Sequence, residues 1–212
     1  MNEYTYTSSI SVDWYKYIDK IYFLHSRYNN KRTIDNLHNV GINTYDTIFY
    51  KTELTFDKCK YYKSISFIES IEDAYKNNID NILIIKDDIK FIDNKNIIET
   101  FLDNSFSNDI SILNPNDIAY DCIILRKHAI EYIHNLNINV NEDNWHYNFI
   151  EKVKNNLKIY KPIYDICLHL IDYVIPYVDN NDIEWQNIHN QYRIKETGEI
   201  NTTNRYRSFD NL

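Results

Sequence analysis

The sequence is poor in glycine, proline and cysteine, and these shortages exclude several classes of protein. It has 2 glycines, 3 prolines and 3 cysteines in 212 residues. Two glycines cannot form a glycine-rich phosphate-binding loop, so the familiar nucleotide-binding motifs of that type are excluded. Cys59, Cys122 and Cys167 lie far apart and are odd in number. They therefore predict neither a disulfide framework nor a zinc knuckle, and they favour a reducing compartment.

The chain also lacks an excess of basic residues and any long apolar run. Lys and Arg number 23 against 31 Asp and Glu, so the formal net charge is −8. A general nucleic-acid binder uses basic side chains to neutralise phosphates, and this class is therefore disfavoured. No run has the length of a bilayer span, and residues 1–13 are polar, without the apolar core of a signal peptide. We expect a cytoplasmic protein that does not insert into membranes.

Asn, Ile, Tyr, Lys and Asp are abundant instead, and tyrosine alone occurs 20 times. An AT-rich genome explains this bias more simply than any role for the tyrosines. The composition therefore favours a virus, a phage or an AT-rich microbe as the source, and a host cytoplasm if the source is viral.

Hydrophobic patterning predicts alternating strands and helices. Strands are expected at residues 20–25, 45–50, 81–86, 110–113, 119–125 and 157–160. Helices are expected at residues 26–40, 67–75, 94–104, 127–135 and 143–156, the first ending at Gly41. Residues 1–18 are interpreted as a polar lead-in. This order predicts one α/β domain over residues 1–180, with a mostly parallel, Rossmann-like sheet flanked by helices, and a polar tail over residues 181–212.

A pair of aspartates follows the most apolar predicted strand. In open α/β sheets, ligands bind at the carboxyl ends of the strands, and that rule places His25 on the same edge as Asp87 and Asp88. Adjacent carboxylates repel unless a cation or a substrate hydroxyl lies near them, and Mg²⁺ or Mn²⁺ prefers such oxygen ligands. The alternative is an ordinary solvated turn, where Asp is common.

Basic residues gather at the start of the first predicted helix. Arg27 and Lys31 are four residues apart and Lys31 is followed by Arg32. Cations oppose the macrodipole at a helix start, whereas a bound anion such as a diphosphate would benefit from both the charges and the free N–H groups. The alternative is an exposed cationic face.

Two further groups have both a structural and a functional interpretation. Glu142 and Asp143 stand at the start of the helix predicted over residues 143–156, where Asp is an ordinary N-cap but is also well placed to act as a general base. His169 lies in an apolar segment, where a histidine is more often a core residue than a ligand.

Several segments, in this order, resemble the glycosyltransferase family that contains bacterial lipopolysaccharide galactosyltransferases and collagen galactosyltransferases. The similar segments are Ile18 to Arg27 with Lys31, Ser66 to Ala74, Asn81 to Ile89 and Ile118 to Ala129. The resemblance covers residues 18–165, and it implies a GT-A fold and a nucleotide-sugar donor. The acceptor would be a hydroxyl of a glycan, a protein or a modified DNA base.

The resemblance also implies roles for individual residues. Asp88 matches the metal-contacting acid, and His169 falls where such folds supply a C-terminal metal ligand. Asp143, with Glu142, matches the base of inverting enzymes. The donor would contact Arg27, Lys31, Ser66, Lys86, Asp87 and Asp88.

Two positions depart from the family pattern. Phe67 stands where the family has His, and Lys86 stands where it has an acid. Lys86 weakens the need for Mn²⁺ or Mg²⁺, because a lysine can itself bind phosphate. The alternatives are an inert module that binds a nucleotide sugar or glycan on the same fold, and another nucleotide-using α/β transferase.

Overall fold

The computed structural model describes residues 10–25, 31–49, 56–87, 89–114, 122–136, 138, 145–163 and 165–169. The strands are β1 (Lys20–His25), β2 (Asp46–Phe49), β3 (Asn81–Lys86), β4 (Ile89–Phe91), β5 (Ile110–Ile112), β6 (Cys122–Arg126), β7 (Ile159–Tyr160) and β8 (Cys167–His169). The helices are α1 (Lys31–Asn39), α2 (Phe56–Lys76), α3 (Lys95–Ser105), α4 (Lys127–Asn135) and α5 (Trp145–Val153), and a short 3₁₀ helix spans Trp14–Lys16.

Six of these strands form one sheet in the order β2-β1-β3-β6-β5-β7. β1 is parallel to β2 and to β3, and β5 is parallel to β7. β6 is antiparallel to both of its neighbours, β3 and β5, so it runs against the rest of the sheet. The prediction of a mostly parallel α/β sheet flanked by helices is therefore confirmed.

Two adjacent inner strands, β1 and β3, are apolar on both faces because helices cover both faces of the sheet. On one face, Phe23 and Ile85 belong to a buried cluster with Leu37 of α1 and Leu102 of α3. On the other face, Ile84 lies in a cluster with residues of α2, α4 and α5. Burial of each such aliphatic or aromatic side chain stabilises the folded state by roughly 1.5–3 kcal/mol relative to an exposed side chain. The packing on both faces therefore holds β1 and β3 in place.

The segment interpreted as a polar lead-in is partly core, so that prediction is wrong for the described residues. Val12, Trp14, Tyr17 and Ile18 are buried, and Trp14 is 0% exposed. The Trp14 Nε1–H donates to the carbonyl oxygen of Val40 at 2.9 Å, which satisfies the buried indole. Trp14, Tyr17 and Ile18 have the i, i+3, i+4 spacing of a helical turn, but the turn spans only Trp14–Lys16 and is too short for periodicity to identify.

Gly41 ends α1 in the way that the sequence predicted. Its φ is +89°, and the amide of Ile42 donates to the Leu37 carbonyl at 2.8 Å. A Cβ at this position would also lie 2.8 Å from the Val12 carbonyl oxygen. Both the left-handed backbone and the close approach of the 3₁₀ segment therefore require glycine.

Some elements differ from their predicted bounds. α2 begins at Phe56, whereas the sequence predicted a start at residue 67. The buried Ser64 and Ser66 interrupt the apolar pattern before residue 67, so the pattern did not indicate this part of the helix. β4 and β8 are three-residue strands that the sequence did not predict, and they pair antiparallel with each other. The predicted domain boundary at residue 180 and the tail over residues 181–212 lie outside the described residues. Within the described part of the chain, no helix is both long and apolar enough to cross a bilayer.

Candidate functional site

The order in which strands are added to the sheet reverses between β1 and β3. After β1 the chain passes through α1 to β2, on one side of β1, and it then returns through α2 to β3 on the other side. The connections that leave the carboxyl ends of β1 and β3 therefore diverge. In open α/β sheets, such a switch point is where ligands bind.

His25 and Asp87 meet at this switch point. The register pairs Leu24 of β1 with Lys86 of β3, so the two strands end level with each other. His25 Nδ1 lies 3.7 Å from Asp87 Oδ2, and the two side chains are 18% and 8% exposed. The separation is too long for a hydrogen bond, but it is an ion-pair distance when the imidazole is protonated. The predicted placement of His25 and Asp87 on one edge is thus confirmed.

Thr33 joins this pair from α1. Its side-chain hydroxyl donates to the backbone carbonyl of Asp87 at 2.6 Å, and the residue is 2% exposed. Thr33 lies in the first turn of α1, so the contact holds the start of the helix against the carboxyl end of β3. The positive end of the helix dipole therefore faces the same edge as the Asp87 carboxylate.

Asn36, one turn later in α1, fixes the strand that follows Asp87. Its Oδ1 accepts a hydrogen bond from the Phe91 amide at 2.6 Å, and its Nδ2 donates to the Phe91 carbonyl at 3.3 Å. The Asn36 side-chain amide therefore forms the hydrogen bonds that a neighbouring strand would otherwise make with Phe91 of β4.

We name His25, Thr33 and Asp87 the carboxyl-edge cluster.

Lys86 and Asp87 lie on opposite faces of the sheet. Successive strand residues alternate between faces, and Ile84, two residues before Lys86, packs towards α2. Lys86 therefore faces α2, where it is 2% exposed, whereas Asp87 faces α1. Ser66 of α2 is also buried, at 1% exposure. Lys86 thus faces α2 and Ser66 belongs to α2, and the predicted contacts of both residues with the donor stay predictions.

Phe67 occupies the apolar layer between α2 and α5. It is 2% exposed, and its ring centroid lies 5.4 Å from that of Phe149 in an edge-on arrangement. The position at which the resembled family has a histidine is therefore part of the core in this chain.

β8 brings His169 to the other end of the Asp87–Asp88 segment. His169 is the Cα partner of Ile89, the residue that follows Asp88 in the sequence. Asp88 lies outside the described residues, and for His169 only the backbone is described. Among the side chains that are described, no three His, Cys, Asp or Glu residues lie close enough together to hold a metal ion.

The remaining predicted site residues are not described by the structure. Arg27, Glu142 and Asp143 lie outside the described residues, and Lys31 is described only as the first backbone position of α1. Thr33 was not predicted from the sequence. Its role depends on a contact with Asp87 that no local sequence pattern reveals, because it arises only when α1 docks on β3.

No protein-family model and no curated protein matches the sequence. Among solved structures, the fold is similar to a cytidylyltransferase from Leptospira borgpetersenii serovar Hardjo-bovis, with 14% identity and a TM-score of 0.44, covering 84% of this chain and 94% of that one. It is also similar to a glycosyltransferase involved in the glycosylation of the major capsid of PBCV-1, with 12% identity and a TM-score of 0.44, covering 80% of this chain and 98% of that one. Likeness at these values assigns neither a family nor an activity to this chain.

Proposed function

We propose that this chain is a GT-A-type glycosyltransferase that moves a sugar from a nucleotide-sugar donor to an acceptor hydroxyl. The observation that carries the proposal is the carboxyl-edge cluster, in which His25, Thr33 and Asp87 converge at the switch point between β1 and β3. In an open α/β sheet this position is suited to a nucleotide ligand. The order of the sequence segments that resemble the galactosyltransferase family supports the same proposal.

The donor diphosphate is placed at the start of α1 in this proposal. Arg27 lies in the sequence between β1 and α1, and Lys31 is the first residue of α1. Free N–H groups at a helix start and cationic side chains both favour phosphate. Asp87 and Asp88 would contact the ribose and sugar hydroxyls. The buried Lys86 and Ser66 would act from beneath the edge, with Lys86 contributing positive charge close to the end of β3.

The proposed metal site uses Asp88 and His169. The β4–β8 register supports this choice, because it places the His169 backbone opposite Ile89, next in sequence to Asp88. One carboxylate and one imidazole fit Mn²⁺, with the diphosphate oxygens completing the coordination, and they fit Mg²⁺ less well. A divalent ion held there would neutralise charge on the leaving nucleoside diphosphate.

Asp143 is the proposed base. It would accept the proton of the acceptor hydroxyl while the acceptor oxygen bonds to the anomeric carbon of the sugar. The bond from that carbon to the diphosphate breaks at the same time, and its electron pair leaves with the nucleoside diphosphate. A single base on one side of the sugar gives inversion of configuration. Glu142, its neighbour, would assist in orienting the acceptor.

A panel of UDP-, GDP- and CMP-sugars, each with and without Mn²⁺, tests donor binding by the thermal shift of the full chain. We expect at least one donor to raise Tm, and Asp88→Asn to remove the part of the shift that depends on Mn²⁺. Asp93→Asn is the matched control, because Asp93 is an exposed aspartate beyond β4. If no nucleotide sugar raises Tm, the proposed function is wrong.

Donor hydrolysis separates the enzyme from its main alternative, a non-catalytic binding module. The buried Lys86 and the core position of Phe67 are the observations that favour such a module. For an enzyme we expect slow release of nucleoside diphosphate, reduced about 10²–10⁴-fold by Asp143→Asn with little change in donor affinity. Binding without hydrolysis or transfer would identify the module instead.

A further inference from the structure

Arg126 is a buried cation on the edge of the sheet opposite the carboxyl-edge cluster. It is the last residue of β6 and pairs with Asn81, the first residue of β3. Arg126 is only 7% exposed. Its Nη1 donates hydrogen bonds to the Tyr17 carbonyl at 2.6 Å and to Asn81 Oδ1 at 3.1 Å. One end of the guanidinium is therefore held in a fixed position.

The other edge of the same guanidinium has no such partners. Nε and Nη2 of Arg126 are buried, and neither has a hydrogen-bond partner in the described structure. These two N–H groups are parallel and adjacent, the geometry with which arginine holds a carboxylate or a phosphate by two hydrogen bonds. A buried cation with unsatisfied donors is destabilising, so an oxyanion at this edge would be favoured.

Asp19, whose charge acts on Arg126, does not fill this edge. Burial lowers the pKa of Arg126, and the charge of Asp19 opposes that effect. The Asp19 carboxylate itself accepts hydrogen bonds from the backbone amide and the side chain of Asn81, both at 2.9 Å. Asp19 therefore balances part of the charge without bonding to Nε or Nη2.

Phe106 covers the guanidinium from the solvent side. The Arg126 Cζ lies 5.0 Å from the centre of the Phe106 ring, and Phe106 is 57% exposed. A side chain with this exposure at the end of α3 can turn aside without disturbing the core. Movement of the Phe106 ring would therefore increase the access of solvent and solutes to the guanidinium.

We propose that the Nε–Nη2 edge of Arg126 binds an oxyanion, a carboxylate or a phosphate, beneath Phe106. This site is separate from the proposed donor site, because the six residues of β3 place the two sheet edges roughly 20 Å apart. The proposal therefore does not depend on the glycosyltransferase assignment.

Chemical-shift mapping of the wild-type chain tests the site directly. Inorganic phosphate and succinate are titrated separately, with sodium chloride at matched ionic strength as the blank. We expect saturable changes at the backbone amides of Tyr17, Asn81, Phe106 and Arg126. Binding of phosphate alone, succinate alone or both supports the proposal and identifies the oxyanion. No saturable change, or changes confined to His25, Thr33 and Asp87, overturns it.

Substitution of Arg126 adds a second measurement. Arg126→Lys keeps the charge but loses the two parallel donors, so we expect the oxyanion affinity to fall at least about 10-fold. Lys127→Met is the matched control. Lys127 is the neighbouring exposed cation, bonded to Asp80 at 2.9 Å, and its loss should leave the affinity unchanged. Equal losses in both variants would indicate a general charge effect and overturn the proposal.

Discussion

Asp73 joins α2 to β1 through its carboxylate. From its place on α2, it accepts hydrogen bonds from Lys20 at 2.8 Å and Tyr22 at 2.6 Å, both on β1. Lys20 also pairs with Asp46 of β2 at 2.7 Å. The bond from Lys20, followed by that from Tyr22, lowers the pKa of Asp73. The Asp73 carboxylate therefore ties α2 to β1, and the Lys20 amine extends the network to β2.

This network makes stability depend on pH in a defined direction. Because the folded pKa of Asp73 is depressed, its contribution is complete above the unfolded pKa of about 3.9 and is lost as pH falls through the folded pKa. The Asp73 side chain is 43% exposed, so solvent screening limits the effect. We expect Asp73→Asn to lower the free energy of unfolding by about 1 kcal/mol at pH 7.

Urea denaturation at pH 7, 5 and 3 measures this dependence. The difference between the wild type and Asp73→Asn should stay constant from pH 7 to pH 5 and narrow below about pH 4. Asp35→Asn on the exposed face of α1 is the control and should change little at any pH. A difference for Asp73→Asn that is the same at all three pH values would contradict the assignment.

The residues of the candidate site were predictable to different degrees. His25 and Asp87 could be placed on one edge because each stands at the end of an apolar run of strand length. In a parallel sheet the carboxyl ends of the strands lie on the same edge. Thr33 could not be placed there, since its bond to the Asp87 carbonyl depends on how α1 docks. Because strand residues alternate between faces, the sequence implied that Lys86 and Asp87 lie on opposite faces of the sheet. Only the packing of Ile84 in the structure shows which face each residue occupies.

At the scale of elements, the best predictions were those with a strong local signal. β3 and α4 have the predicted bounds, one from an uninterrupted apolar run and the other from clear helical spacing. β4 and β8 have three residues each, and each depends on a partner distant in sequence. Such strands are too short to show a two-residue hydrophobic period, and tertiary pairing stabilises them. They therefore cannot be predicted from the sequence pattern.

Asn36 connects α1 to β4, and its removal should loosen this part of the candidate site. Asn36→Ala leaves the amide and the carbonyl of Phe91 without their side-chain partners. We expect a loss of about 2 kcal/mol in the free energy of unfolding and faster hydrogen exchange of the Phe91 amide. Asn39→Ala, an exposed asparagine in the last turn of α1, is the matched control. Equal effects of the two substitutions would show that the Asn36 contacts do not stabilise β4.

At the scale of the molecule, the sheet separates two sets of polar groups. The carboxyl ends of β1 and β3 present the carboxyl-edge cluster, and the opposite edge holds Arg126 with Asn81. The sequence predicted which strands are parallel in broad terms, because strands and helices alternate. It did not predict that β6 runs the other way, and that reversal is what brings Arg126 to the amino end of β3.

Hydrogen exchange distinguishes the two edges in one experiment. With the nucleotide sugar that raises Tm most, we expect slower exchange at the start of α1 and across the β3–β4 connection. A ligand at ~100 times its Kd stabilises the bound state by about 2.7 kcal/mol, which corresponds to roughly 100-fold slower exchange through local opening. The amides around Arg126 at the start of α4 should change little, because they lie at the other end of the sheet. The matching nucleoside, which lacks the diphosphate, should protect α1 much less. Protection centred on β6 and α4 would instead place the donor at the Arg126 edge and contradict the switch-point site.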